Sequence, residues 1–169
     1  MAKDKSKYYN INVRKEAINT LRTNIQFSSI DNKLQVIGFT SAASGEGKTT
    51  LVDELAESFA LTGDKVLVLN ADMRKGSDHK SIRNKNRIGI TNVLAQNMPL
   101  SEAISEVKGF QYLGSGPLPP NPTELLGSKA MFQLIETLKN SYDLILVDTP
   151  PMGLFSDALV LSKFFDGFL

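Results

Sequence analysis

The chain has 169 residues, of which 41% are apolar and 22% charged, with a formal net charge of +1. This length and composition fit one compact domain with a sizeable core, and the near-neutral balance gives no field that favours nucleic acid. The absence of cysteine excludes disulfides and thiolate metal sites, and a single histidine, His79, argues against a histidine-rich metal centre or a Ser-His-Asp triad.

The start, "MAKDKSK", is charged and lacks the apolar core of a secretion signal. It reads as a solvated tail. No apolar run reaches the length of a membrane span. The expectation is a cytoplasmic protein that does not insert into a membrane and reaches one only through a partner. From Asn12 to Ser28 the pattern is helical, with Val13, Ala17, Leu21, Ile25 and Ser28 near one face. Three short apolar runs follow along the chain, "LQVIGFT", "KVLVLNA" and "YDLILVD". Such runs suit strands covered on both faces, as in a parallel sheet. Between them lie helical patterns, "KTTLVDELAESFALTG", which Gly63 stops, and "ELLGSKAMFQLIETLKNS". The alternation indicates an α/β fold with a mostly parallel sheet flanked by helices on both faces. The proline- and glycine-rich "GSGPLPPNPTE" reads as a structured loop. After a further helical pattern, "SDALVLSKFF", comes "DGFL", which looks like the start of another strand. Residues 1–169 thus read as a single domain. Its final strand is either very short or continues in a longer protein.

The chemistry concentrates in three places. Residues 42–49, "AASGEGKT", match the phosphate-binding pattern G-x-x-x-x-G-K-[ST] everywhere but the first glycine, which is Ala42. Gly45 and Gly47 let backbone amides converge on phosphate oxygens, and the helix beginning near Lys48 turns its positive end to the same anion. Lys48 is placed to reach the β and γ phosphates, and Thr49 to put its hydroxyl on Mg²⁺. Ser44, Gly45, Glu46, Gly47, Lys48, Thr49 and Thr50 form the candidate nucleotide loop. The competing reading is a glycine-rich turn between strand and helix. Asp148, at the end of "DLILVD", is placed as a second metal ligand on the same sheet edge. The third place is "VLVLNADMR", with Asp72 and Arg74 after an apolar strand.

Taken together, "SAASGEGKTT", "VLVLNADMR" and "YDLILVDTPP" resemble the Walker A, Walker A′ and Walker B motifs of the bacterial tyrosine kinases. These belong to the deviant P-loop ATPases, alongside the MinD and ParA type. "EAINTLRTNIQFS" resembles the family's N-terminal helix, and "GPLPPNPTELLGS" its loop and following helix. MinD and ParA loops carry an early signature lysine where this chain has Ala43. The resemblance implies transfer of the γ phosphate of ATP to tyrosine, chiefly on neighbouring copies of the kinase, with Mg²⁺ as cofactor. It implies a role in capsule or exopolysaccharide synthesis and export, and a membrane-anchored activator that modulates polysaccharide chain length. It also implies self-association into a ring, with recruitment to the inner face of the membrane. Lys48, Asn70, Asp72 and Asp148 take the catalytic positions, and Thr49, Asp72 and Asp148 the metal positions.

The chain departs from the family pattern at three points. Asn70 stands where the family has aspartate, so one candidate base and metal ligand is lost. If the strand persists, Asp72 shares its face and can partly compensate. Slow or undetectable phosphorylation is expected, with a large gain on Asn70→Asp once a C-terminal segment and an activating partner are supplied. In the ring-forming E-x-x-R-x-x-R motif, Glu16 and Arg22 match but Asn19 replaces the middle arginine. A solvated helix face is the equal alternative for these residues. The tyrosine-rich tail of the family is missing, and Tyr8, Tyr9, Tyr112 and Tyr142 are the only tyrosines. Tyr142 reads as structural, the Tyr8–Tyr9 pair as surface or packing in a mobile segment. His79 reads as surface, and Met73 and Phe39 as packing. Asp157 has two readings, γ-phosphate sensor or helix N-cap. Two alternative functions also stand: a MinD- or ParA-type ATPase without tyrosine kinase activity, and a nucleotide-binding regulator impaired in catalysis.

Overall fold

The computed structural model describes residues 2–28, 34–74 and 88–169, with side chains from residue 11 onward. His79 lies outside the described residues. Helix α1 (Ala2–Ser28) is followed by strand β1 (Val36–Phe39), helix α2 (Lys48–Ala60) and strand β2 (Val66–Asn70). Next come helices α3 (Ile90–Gln96) and α4 (Leu100–Ala103) and strands β3 (Ile104–Val107) and β4 (Phe110–Leu113). Helices α5 (Pro122–Leu126) and α6 (Lys129–Lys139), strand β5 (Leu144–Asp148), helix α7 (Asp157–Leu161), a 3₁₀ turn (Ser162–Phe164) and strand β6 (Gly167–Phe168) complete the order.

The strands form one six-stranded sheet in the order β3-β4-β2-β5-β1-β6. All neighbours are parallel except β3 and β4. Strand β5 is central, bonded to β1 on one side and β2 on the other. Every residue of β1, β2 and β5 is buried, which is why these runs read as continuously apolar and not alternating. Alternate side chains still serve different faces. Val66, Val68, Leu144 and Leu146 join Ile37 and Phe39 beneath α1 and α2. Leu67, Leu69, Ile145 and Val147 join Met131, Ile135 and Leu138 of α6 on the other face. Helices therefore flank both faces of a mostly parallel sheet.

Several local expectations change. Helix α1 runs back through the charged start, and the backbone of Tyr8 and Tyr9 belongs to it. Its buried face is Ile18 and Ile25, with Leu21 packed alongside, while Val13 is 52% exposed. Ile18, Leu21 and Ile25 pack with the apolar stripe of helix α2 (Val52, Leu55, Ala56, Phe59). The segment 122–139 is two helices. Gly127 ends the first, and Ser128 caps the second by accepting from the Met131 N–H at 3.2 Å. The β3–β4 hairpin was not expected. Lys108 and Gly109 at its turn have φ of 48° and 88°, positive at both central residues as a type I′ turn requires.

Candidate nucleotide site

Register brings the three motifs to one place. Phe39 and Asn70 each pair with Asp148, so β1, β5 and β2 end in one row. Each strand then releases its loop at the carboxyl edge of the sheet, where α/β folds bind ligands. The loop after β1 turns on Gly45 (φ 91°) and Gly47 (φ 88°), a left-handed backbone that side-chain-bearing residues avoid. Helix α2 starts immediately, and its first amides face the loop. Glu46 accepts from the Ala42 and Ala43 N–H groups at 3.0 and 3.2 Å, tying the start of the loop to its middle. The Walker B loop closes the other side, with the Met152 N–H donating to the Ser41 carbonyl at 2.9 Å.

A cavity of about 380 Å³ lies between these segments, lined by residues 44–50 of the loop with Ser41, Asp72 and Pro151. Of the expected site residues, Ser44, Gly45, Glu46, Gly47, Lys48, Thr49, Thr50 and Asp72 line it directly. Asp148 lies behind that lining, in contact with Lys48 and Thr49. The Lys48 ammonium is ion-paired with Asp148 Oδ1, and the Thr49 hydroxyl donates to Asp148 Oδ2 at 2.7 Å. Asp148 is almost wholly buried and Lys48 nearly so. Burial, then the Asp148 charge, push the carboxyl of Asp53, one turn along α2, up to about 7.

Asn70 and Asp72 do not share a strand face. Strand β2 ends at Asn70, so the alternation that would place both on one face does not extend to Asp72. Asn70 is 1% exposed, and its amide donates to the Tyr112 hydroxyl at 3.0 Å. Its Oδ1 accepts from the Asp72 N–H at 3.0 Å, and Asp72 Oδ1 accepts from the Arg74 N–H at 3.3 Å. The two short side chains thus build consecutive turns that carry Asp72 over to the loop.

Asp157 is neither a helix cap nor a lining residue of the cavity. Ser156 holds the N-cap position of α7, and Asp157, fully buried, accepts from Arg74 Nε at 2.7 Å and Nη2 at 3.0 Å. Burial pushes its carboxyl up, but the Arg74 and Thr123 hydrogen bonds outweigh this and hold it below the usual range. Sequence gave no sign of this pair, whose members lie 83 positions apart.

Two of the three ring-motif residues sit against α2. Asn19 Oδ1 accepts from the Ser58 hydroxyl at 3.0 Å, Arg22 Nη1 donates to the Ser58 carbonyl at 2.9 Å, and Glu16 is exposed. Phe39 and Met73 are each 1% exposed, as packing residues should be. Tyr142 is half-buried at the entry to β5, with its hydroxyl on Gln111.

A family model described as an AAA domain matches residues 34–163. The tyrosine-protein kinase YwqD of Bacillus subtilis is 42% identical over 154 residues, which are 90% of this chain and 65% of that protein. The chain therefore spans about two thirds of that relative's length. The kinase domain of the Escherichia coli tyrosine kinase ETK superposes with a TM-score of 0.86 at 35% identity, covering 91% of this chain and 61% of that one. The septum site-determining protein MinD of Pyrococcus horikoshii, complexed with Mg-ADP, reaches a TM-score of 0.59 at 25% identity, over 79% and 56%. A P-loop fold of this kind implies nucleotide binding, and the higher similarity lies with the kinase branch. The chain belongs to the bacterial tyrosine-kinase family of P-loop ATPases, whose curated members are named protein-tyrosine kinases.

Proposed function

We propose that this chain binds Mg·ATP in the cavity beside Lys48 and transfers the γ-phosphoryl group to a protein tyrosine. The observation that carries the reading is the convergence of Lys48 and Thr49 on Asp148, with Asp72 across the cavity. Loop amides and the α2 N-terminus bind the phosphate oxygens. The Lys48 ammonium exchanges its Asp148 partner for the β and γ phosphates. Asp72 presents a carboxylate to the incoming hydroxyl. The donor set of Thr49, Asp148 and Asp72 is all oxygen, which fits Mg²⁺. Mg²⁺ held there would neutralise charge developing on the transferred group.

The role in capsule or exopolysaccharide synthesis, the membrane-anchored activator, ring self-association and a cytoplasmic location at the inner membrane face extend the same reading. The resemblance of the motifs supports them. No helix among the described residues is long and apolar enough to cross a membrane.

Asn70 favours a second reading, a nucleotide-binding regulator with impaired transfer. Its amide is committed to Tyr112 and to the Asp72 turn, and an amide cannot act as a general base. Incubation with γ-labelled ATP, a tyrosine peptide and phosphoamino-acid analysis separates these readings. Phosphotyrosine supports the kinase. Phosphate release alone supports an ATPase of the MinD type. Binding with neither product supports the regulator.

A further inference from the structure

The Arg74 guanidinium joins more of the site's periphery than any motif assignment requires. Besides its two hydrogen bonds to Asp157, Nη2 donates to the Thr123 hydroxyl at 2.8 Å. That hydroxyl also donates to Asp157 Oδ1, closing a three-member ring of contacts. One face of the guanidinium lies over the Phe155 ring, 4.3 Å from its centre. Four segments meet here: the turn after β2, the loop after β5, α7, and the first turn of α5 behind the proline-rich loop. Asp157 is fully buried, so its charge is tolerable only with these donors in place.

The cluster lies outside the cavity, yet its backbone leads directly into it. The Arg74 N–H holds Asp72 Oδ1, and the Asp72 N–H is held by Asn70. The turn is thus pinned at both ends, by β2 on one side and by the Arg74 side chain on the other. Without the distal pin, the Arg74 N–H that holds Asp72 Oδ1 is itself no longer fixed in place.

We propose that Arg74 and Asp157 are positioning residues whose ion pair fixes the turn presenting Asp72 to the phosphate loop, and so sets the divalent-cation affinity of the nucleotide site. This rests on the nucleotide-binding reading above. A planar fork is required, because two carboxylate oxygens, one hydroxyl and one ring face are engaged at once, and lysine cannot match all four. Residues that orient metal ligands from behind typically change metal affinity by about 10- to 100-fold when altered.

The test is fluorescence titration of the chain with mant-ADP, across MgCl₂ concentrations and in EDTA. Three variants are compared with wild type: Arg74→Lys, Asp157→Asn and the paired Arg74→Met, Asp157→Leu. The paired variant removes both charges and leaves no uncompensated buried ion, so it retains the fold where a single truncation would not. The expected result is a rise in the MgCl₂ concentration for half-maximal binding of about tenfold or more in each variant, with binding in EDTA unchanged. A merely structural role lowers the melting temperature and leaves that midpoint where it was in the folded protein. An unshifted midpoint in the folded paired variant overturns the proposal. No response from wild type with or without MgCl₂ overturns the nucleotide reading itself, a failure distinguishable from the first.

Discussion

The loop after β1 and the turn after β2 leave the same edge of one sheet, from strands that flank the same β5, yet they hold their functional groups by different means. The first is a backbone device. Two glycines at positive φ shape it, and Glu46 ties it across two amides. The second is a side-chain device, in which Asn70, Asp72 and Arg74 each bond the backbone or a distant carboxylate. A backbone device tolerates substitution wherever φ permits. A side-chain device depends on the identity of each member and on partners from elsewhere in the chain. The phosphate loop should therefore fail through a few indispensable atoms, and the turn should fail by degrees.

Lys48→Met provides the largest expected effect. Among the described residues it removes the only side-chain ammonium lining the cavity, and with it the Asp148 ion pair, while the Thr49 hydroxyl contact to Asp148 stays. A charge-assisted contact to phosphate is worth about 1.5–3 kcal/mol even in binding, and more where charge develops during transfer. Phosphotransfer should fall about a hundredfold or more, and mant-ATP affinity by about tenfold or more, in a protein that still folds. Unchanged binding and turnover in the folded variant would remove the phosphate-loop assignment.

The two polar positions of the turn should respond in opposite senses. Asp72→Asn removes the carboxylate that the turn after β2 presents to the cavity, so transfer should fall about a hundredfold or more. Asn70→Asp adds a carboxylate beside Asp148, its partner across the strands. Two adjacent buried carboxylates repel, so the variant should be less stable than wild type in EDTA by about 1–3 kcal/mol. Mg·ATP should return that stability, and transfer to a tyrosine peptide should rise. Melting curves with EDTA and with Mg·ATP, run beside the kinase assay, check both. If Asn70→Asp binds nucleotide but transfers no faster, position 70 is not a catalytic carboxylate site.

The same contrast explains what could be read from the sequence. The phosphate loop was legible because its letters, Gly45, Gly47, Lys48 and Thr49, encode a backbone path and a contiguous helix start. The central strands were legible because burial on both faces makes them uniformly apolar. The turn was only half legible. Asn70 and Asp72 are two apart, and alternation predicts a shared face, but β2 stops at Asn70 and the parity is lost. The Arg74–Asp157 pair was invisible, since nothing local to either residue names a partner 83 positions away. The β3–β4 hairpin was missed for a different reason. Its first strand, "ISEV", has only Val107 buried and shows no apolar run. The Lys108–Gly109 turn was the available signal.

A smaller effect probes the ground beneath the loop. Asp53 lies one turn beyond Thr49, and its carboxyl is raised from 3.8 to about 7 by burial and then by the field of Asp148. Folding therefore favours its protonated form. The stability this group contributes is present below the unfolded value and is lost as pH rises from about 4 to about 7. Asp53→Asn keeps the shape and abolishes the titration. The variant should match wild type at pH 4 and exceed it at pH 8 by on the order of 1 kcal/mol, because the part-exposed carboxyl is screened. Melting temperatures in EDTA at the two pH values check this. A constant difference between the proteins would show that neither burial nor the Asp148 charge raises this carboxyl in the folded chain.

The smallest expected change lies furthest from both devices, on α1. Asn19 stands where the family pattern has arginine, and its Oδ1 accepts the Ser58 hydroxyl within the same chain. Arg22 reaches the Ser58 carbonyl beside it, so two of the three motif positions already have intramolecular work. Asn19→Arg replaces an acceptor with a cation at a half-buried position. The Ser58 bond is lost, at a cost of about 0.5–1.5 kcal/mol. Ile18 and Ile25 stay buried against α2, so the helix remains docked. A fall in melting temperature of about 2–4 °C is expected. Light scattering at matched concentrations decides what the lost bond releases. If the arginine is turned outward, the helix regains the charge that the ring motif uses, and the mass should rise. If the mass is unchanged, and Glu16→Ala has no effect either, then this face serves to dock α1 on α2, and self-association must use other residues.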